Sequence, residues 1–570
     1  MGIHKLIAAS ILIIAPFAVL RAQQPMPTPR KADDTVTTGV IDGRVVNESG
    51  QGMSGATVSV RAVNSQSSGR QTTADVEGNF RVNGLEPALY VVSAGAPAYT
   101  MAAPADPTTP TYYRIGDTVR IEMIRGGAIT GTVTNAAGEP VVAVRVRATM
   151  IRDARGESAK LAALISTEQP TDDRGVYRIY GLRPGTYIVS AGGSGFAYNF
   201  NPYDQDLPTY APSASRDSAA EILVRSGEDS NIDIRYRGEP GHLISGTVKV
   251  ANTNGSAIML TQAGSPVPLG NTYQPDGARG FTFTGLGDGD YDIVAQELAS
   301  SPNNLTTPLF AVSEPKRVSI KGADVTGVEL LTRPLSSISG KIALEPSKAP
   351  ECQGKRPPLF AEMVVRLQKP ENDKERDDLL VLRFLSGSAS PDANGAFQLR
   401  NLFSGKYQFE PRFYARYWYL QSITTTTGTP KPQKFDVAAN WMTVKSGEQL
   451  ANLTITIAQG AASIRGRVVA PEGAATTAAS LYLVPAEPDK VNDVLRYFVS
   501  DVGDDQTFTF NNLPPGKYLT YLDAQTMTLK KLRQPEAAPE RLKVRRGAET
   551  KKNEIELKPC QNLVDYQLKP

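Results

Sequence analysis

Hydrophobic and polar residues alternate along this chain in short runs of period two, and the runs recur. An Ile-x-Gly-x-Val/Ile segment appears five times: Ile41/Gly43/Val45, Ile129/Gly131/Val133, Ile244/Gly246/Val248, Ile338/Gly340/Ile342 and Ile464/Gly466/Val468. Apolar residues two apart put one face of a strand in a core, and the central glycine points to a bulge or a close backbone approach. Downstream of each segment an aromatic is followed five residues later by Leu, and that Leu five residues later by Tyr. These triplets are Phe80/Leu85/Tyr90, Tyr177/Leu182/Tyr187, Phe281/Leu286/Tyr291, Phe397/Leu402/Tyr407 and Phe508/Leu513/Tyr518. Gly185, Gly289, Gly405 or Gly516 stands two before the Tyr, with Ala88 in the first copy. Five copies at fixed internal spacing make this a repeat protein.

Within a copy, a turn and second strand follow the first, as in NESGQGMSGATVSV and NAAGEPVVAVRVRA. A variable loop, the aromatic strand, a tight connection and the Tyr strand come next. A Gly-led strand closes each copy, at 116–124, 227–236, 322–331, 447–457 and 547–557. Roughly seven short strands per copy, with turn signals every ~8–12 residues and no convincing amphipathic helix, predict an all-β chain. The expected architecture is five tandem seven-stranded antiparallel β-sandwich domains. Their boundaries fall at 38–125, 126–238, 239–333, 334–459 and 460–570, the last with a C-terminal tail, and linkers this short predict a semi-rigid array. The aromatic and its i+2 partner point inward, as does the Tyr, whose hydroxyl is expected to bond backbone near a turn as in a tyrosine corner.

The N-terminus adds a compartment. Residues 1–22 carry Lys5, an apolar run and a small residue, Ala22, which is the pattern of a secretory signal peptide. A Pro-rich linker, 23–37, follows, and no later stretch is long and apolar enough to span a membrane. The mature chain is therefore expected to be exported, to the periplasm, the outer surface or the medium. Net charge is +3, from 61 Lys+Arg against 58 Asp+Glu, which makes no case for nucleic acid. The two cysteines, Cys352 and Cys560, are free to pair in an oxidising compartment or to remain thiols or intermolecular links.

Catalytic sets are missing from the pattern. The two His residues are His4, in the signal, and His242, at a domain entry, so neither a nucleophile–imidazole pair nor a His-based zinc site can be composed. Carboxylate pairs such as Asp172/Asp173 sit at turns, where Asp accepts backbone hydrogen bonds. In GDGDYD, Asp288, Asp290 and Asp292 have calcium-loop spacing but stand at the entry to the Tyr strand. Aromatics outside the repeat positions are the better binding candidates: Tyr198, Phe200, Tyr203 and Tyr210, then Phe413, Tyr414, Tyr417, Trp418 and Tyr419, with Tyr99, Tyr112 and Tyr113 in the first copy. All lie between the Tyr strand and the closing strand, where they either cap the sandwich or stack on sugar faces. The basic stretch 530–552 reads as a solvated strand face.

Ile-x-Gly-x-Val, then T-x-x-D-x-x-G-x-F and L-x-P-G-x-Y-x-V, resembles the carboxypeptidase regulatory-like domains. TTADVEGNFRVNGLEPALYVVSA and PTDDRGVYRIYGLRPGTYIVSAGG carry the likeness best, and the later copies diverge. The resemblance implies bacterial-type transthyretin-like (prealbumin-like) sandwiches, a carbohydrate-binding-like fold. Such modules accompany peptidases, outer-membrane receptors and adhesins, and neither a peptidase nor a barrel sequence accompanies them here. The resulting reading is a non-enzymatic extracytoplasmic spacer or protein-binding scaffold, needing no cofactor and no metal. Its partner would be an envelope protein or a glycan. Carbohydrate binding through the aromatic loops is the alternative, and an accessory subunit of an envelope peptidase or outer-membrane receptor is a third.

Overall fold

The computed structural model describes residues 38–63, 69–103, 111–158, 167–193, 201–250, 255–263, 268–274, 279–297, 311–370, 387–427, 433–469, 479–502, 505–524 and 527–568. The expected signal and linker, Tyr198 and Phe200 lie outside them. Thr38–Pro570 forms one compact unit. Among the described residues no helix is long and apolar enough to cross a membrane.

The chain is β-rich, and each copy of the repeat has its own large apolar core. The first copy sets the pattern with two sheets. One holds, in order, Asn79–Leu85, Gly39–Asn47, Thr118–Arg125 and Tyr99–Met101; the other holds Arg70–Thr73, Thr57–Ala62 and Tyr90–Gly95. Alternation turns Ile41, Val45, Phe80 and Val82 from the first sheet onto Val58, Val60, Tyr90 and Val92 from the second, all buried. In the third copy the two sheets join into one, because Ala311–Ser313 pairs with both Gly289–Glu297 and Val325–Pro334.

Two features differ from the expected pattern. The sheets are not purely antiparallel: the first strand of each copy runs parallel to the closing one, as Gly39–Asn47 does to Thr118–Arg125. A parallel neighbour needs a long crossover, and here the rest of the copy supplies it.

The second difference is in the fifth copy, where 538–551 is a helix and the closing strand is Asn562–Leu568, not 547–557. The supposed tail is therefore the last strand, and Cys560 precedes it. Pro539 starts the helix and Lys552 ends it in the left-handed region (φ 55°). Its buried stripe is Arg541, Val544, Arg545 and Ala548, so half of it is arginine and no apolar stripe marks it in the sequence. The Arg541 guanidinium donates to the Leu532 and Gln534 carbonyls, both at 2.7 Å, and Arg545 to that of Pro485 at 2.6 Å. These bonds satisfy the charges that burial would otherwise strand. The basic stretch is thus a docked helix with only its outer cations solvated.

Candidate functional site

The repeated residues are occupied with structure. Each Ile-x-Gly glycine lies opposite the repeat aromatic: Gly43 faces Phe80, Gly131 Tyr177, Gly246 Phe281, Gly340 Phe397 and Gly466 Phe508. A Cβ on Gly246 would meet the Val328 carbonyl oxygen at 2.0 Å and the Phe281 ring at 2.8 Å, and the other four are similarly crowded. Every repeat tyrosine is buried, and its hydroxyl donates to the carbonyl four residues earlier. Tyr90 reaches Glu86 at 2.7 Å, Tyr187 Arg183 at 2.9 Å, Tyr291 Gly287 at 2.8 Å, Tyr407 Phe403 at 2.8 Å and Tyr518 Pro514 at 2.9 Å. Burial raises the hydroxyl pKa of Tyr90, Tyr187, Tyr291 and Tyr518, to about 12 for Tyr291. Asp172 accepts from the backbone N–H of Val176 (2.7 Å) and Arg174 (3.0 Å), which holds its carboxyl below the usual range. Asp75 and Asp392 make the same turn.

The non-repeated aromatics divide. Tyr210 and Trp418 are buried, at 9% and 3% exposure, and neither ring offers a face for stacking. Tyr203 is half-buried, edge-on to Tyr236 with centroids 5.6 Å apart, and donates to the Val142 carbonyl at 3.1 Å. Tyr99 and Tyr113 pack against the first core. Tyr419 is half-buried beside Gly460. Tyr417 is half-buried too, and Tyr414 is 40% exposed. The strand breaks at 414–417 in a turn, so Tyr414 stands out while Trp418, which starts the next strand, turns into the fourth core and Tyr417 packs against the edge of that core.

Tyr414 and Tyr417 line a cleft of about 220 Å³ with Arg114, Arg356, Pro357, Pro358, Glu362, Ala415 and Arg416. The first copy supplies Arg114 and the fourth supplies the rest. The Arg114 guanidinium lies 5.3 Å over the Tyr414 ring, donates to the Tyr414 carbonyl at 3.3 Å, and stands 4.0 Å from Glu362. Glu362 is 7% exposed and is held from the other side by Arg356 at 3.2 Å. Lys355 and Arg416 flank Tyr417, at 4.8 and 5.5 Å from its ring centroid. Burial raises the Tyr414 hydroxyl pKa. Stacked guanidinium, tyrosine and proline surfaces at one cleft can hold a compact ligand with an anionic group. Arg114, Arg356 and Glu362 were not singled out in the sequence, because no local signal joins positions so far apart.

The remaining candidates separate. Asp292 is buried in a two-point pair with Arg317 (2.6 and 2.8 Å), Asp290 bonds Ser319, and Asp288 accepts from the Gly322 N–H at 2.6 Å. Strand geometry thus sends the three carboxylates to three different partners, and they do not converge on a calcium position. His242 lies between Asp288 (3.8 Å) and Asp324 (3.5 Å), about one-third exposed. Cys352 and Cys560 are joined, with Cα atoms 5.4 Å apart, and link the fourth copy to the fifth. Beside them Asn512 donates to the carbonyls of Ala415 (2.8 Å) and Trp418 (2.6 Å), so the segment carrying the cleft tyrosines is gripped from the fifth copy.

By fold, then, this is a chain of repeated β-sandwiches with a ligand-sized cleft between two of them. Residues 40–113 match the family model for the carboxypeptidase regulatory-like domain. A search of curated proteins finds no match. Among solved structures, the Bacillus anthracis TIE protein is similar at 11% identity, over 75% of this chain and 76% of that one, with TM-score 0.14. The Streptococcal ancillary pilin is similar at 14% identity, over 52% and 99%, with TM-score 0.16. BcpA, the major pilin subunit of Bacillus cereus, is similar at 13%, over 52% and 99%, with TM-score 0.14.

Proposed function

We propose that the protein is an exported, non-catalytic scaffold that binds an envelope protein. Its domains would be 38–125, 126–238, 239–333, 334–459 and 460–570, behind a signal at 1–22 and a linker at 23–37. One observation carries the reading: Arg114 of the first copy engages Tyr414 and Glu362 of the fourth, so distant copies share one junction. Repeats held in fixed relation present a pre-organised surface, and pre-organisation lowers the entropy lost on binding. The test is capture of envelope proteins on the mature, disulfide-bonded chain, followed by titration of the purified hit. Saturable binding of one hit, weakened by Arg114→Glu, supports the scaffold. A hydrolase or transferase activity abolished by a single carboxylate substitution overturns it.

Carbohydrate binding remains a second reading, narrowed to the cleft by the 40% exposure of Tyr414 and the half-buried Tyr417 beside it. A broad glycan screen of the mature chain tests it: a signal lost with Tyr417→Ala supports it, and a flat screen removes it.

A further inference from the structure

The cleft between the first and fourth copies has more hydrogen-bond donors than acceptors. Its buried acceptor, Glu362, is already shared by Arg356 and Arg114. The Arg114 Nε is buried and has no hydrogen-bond partner, an arrangement that leaves its desolvation uncompensated when nothing fills it. Lys355 and Arg416 are exposed and lean on the Tyr417 ring, with no carboxylate within ion-pair reach among the described residues. Asp117, beside Arg114 in the chain, is turned to the Arg114 backbone N–H, which its Oδ2 accepts at 2.7 Å. Three cations, Arg114, Arg356 and Arg416, therefore line the cleft with one carboxylate, Glu362, and Lys355 adds a fourth positive charge over the Tyr417 ring, in a chain that is otherwise close to charge balance.

Cations without counter-charges, held in place by an aromatic ring, form a pre-organised oxyanion receptor. The space of about 220 Å³ is below the ~300–1,000 Å³ of drug-sized pockets, so it suits one small ring. Pro357 and Pro358 supply an apolar wall beside Tyr417. We propose that this cleft binds a small ring-shaped ligand carrying a carboxylate, with Arg416 and Lys355 taking the anion and Tyr417 and the prolines the ring. The proposal deepens the binding-protein reading by giving the cleft its own ligand class, separate from any protein partner.

The experiment is calorimetric titration of the full mature chain with sodium glucuronate, with glucose and sodium phosphate as comparison ligands. Saturable glucuronate binding is expected, at least about tenfold tighter than either comparison ligand. Arg416→Ala and Lys355→Ala should each weaken it about tenfold, and both alter exposed side chains, so circular dichroism should match the parent. Capture of the envelope partner should survive these two variants, which separates failure of this site from failure of the scaffold reading. Glucose binding as tightly removes the carboxylate requirement, phosphate binding as tightly removes the ring requirement, and unchanged affinity in both variants removes the site. Each of these results overturns the proposal, as does the absence of glucuronate binding.

Discussion

A methyl group on Gly246 would lie 2.0 Å from the Val328 carbonyl oxygen and 2.8 Å from the Phe281 ring. Neither neighbour can retreat, since one is the backbone of the parallel strand and the other fills the core. Gly246→Ala should therefore destabilise the third copy by about 1–3 kcal/mol, the range for overpacking. Gly280→Ala is the internal control: an added Cβ there has its nearest neighbour at 3.9 Å, and alanine in a strand is favoured over glycine by roughly 0.5–1 kcal/mol. Denaturant titration read by amide exchange in residues 279–297 should show a lower midpoint for the first variant and an equal or higher one for the second. The crowding was legible at this scale only as a pattern, a glycine at the centre of Ile-x-Gly-x-Val/Ile in all five copies. Its cause was not, because the Val328 carbonyl belongs to a strand far along the chain. Likewise the tyrosine hydroxyl's turn partner was foreseen as backbone, and its fixed offset of four residues emerged only from geometry.

At the level of elements, alternation found the first, aromatic and Tyr strands of all five copies because each buries one face. It failed at 538–551. There the buried stripe includes Arg541 and Arg545, whose guanidinium groups are satisfied by carbonyls of Leu532, Gln534 and Pro485. Charge hides such a helix from any reading based on hydropathy. The Cys352–Cys560 bond joins two elements from separate cores, so its loss should loosen their junction and spare the cores themselves. Reduction, or Cys352→Ser with Cys560→Ser, is expected to speed amide exchange at 458–463 and 558–562, with little change in the buried strands Met363–Gln368 and Ala479–Pro485. Equal acceleration in those strands would place the bond's contribution inside the cores.

Across the whole molecule, the contact that sequence order gives no hint of is the one between the first and fourth copies. Short linkers predicted neighbours touching neighbours, and those contacts exist: Ser226 donates to Glu48 at 2.7 Å, and Thr284 to the Asp204 carbonyl at 3.1 Å. Arg114 instead crosses to Tyr414 and Glu362. Arg114→Glu replaces the attraction to Glu362 with repulsion between two carboxylates in a poorly solvated junction. Amide exchange is expected to quicken at 113–117 and 415–418 while each core keeps its protection; unchanged exchange would mean that the contact contributes nothing to holding the copies together. The repeat, the strand-rich fold, the inward set and the turn aspartates were settled by the sequence alone, because each depends on residues a few positions apart. The parallel pairing of first and closing strands, the arginine-striped helix, the burial of Trp418 and Tyr210, and the cleft around Tyr417 were decided by the tertiary structure. All of these depend on which distant backbone or charge comes alongside, and local spacing carries no record of that.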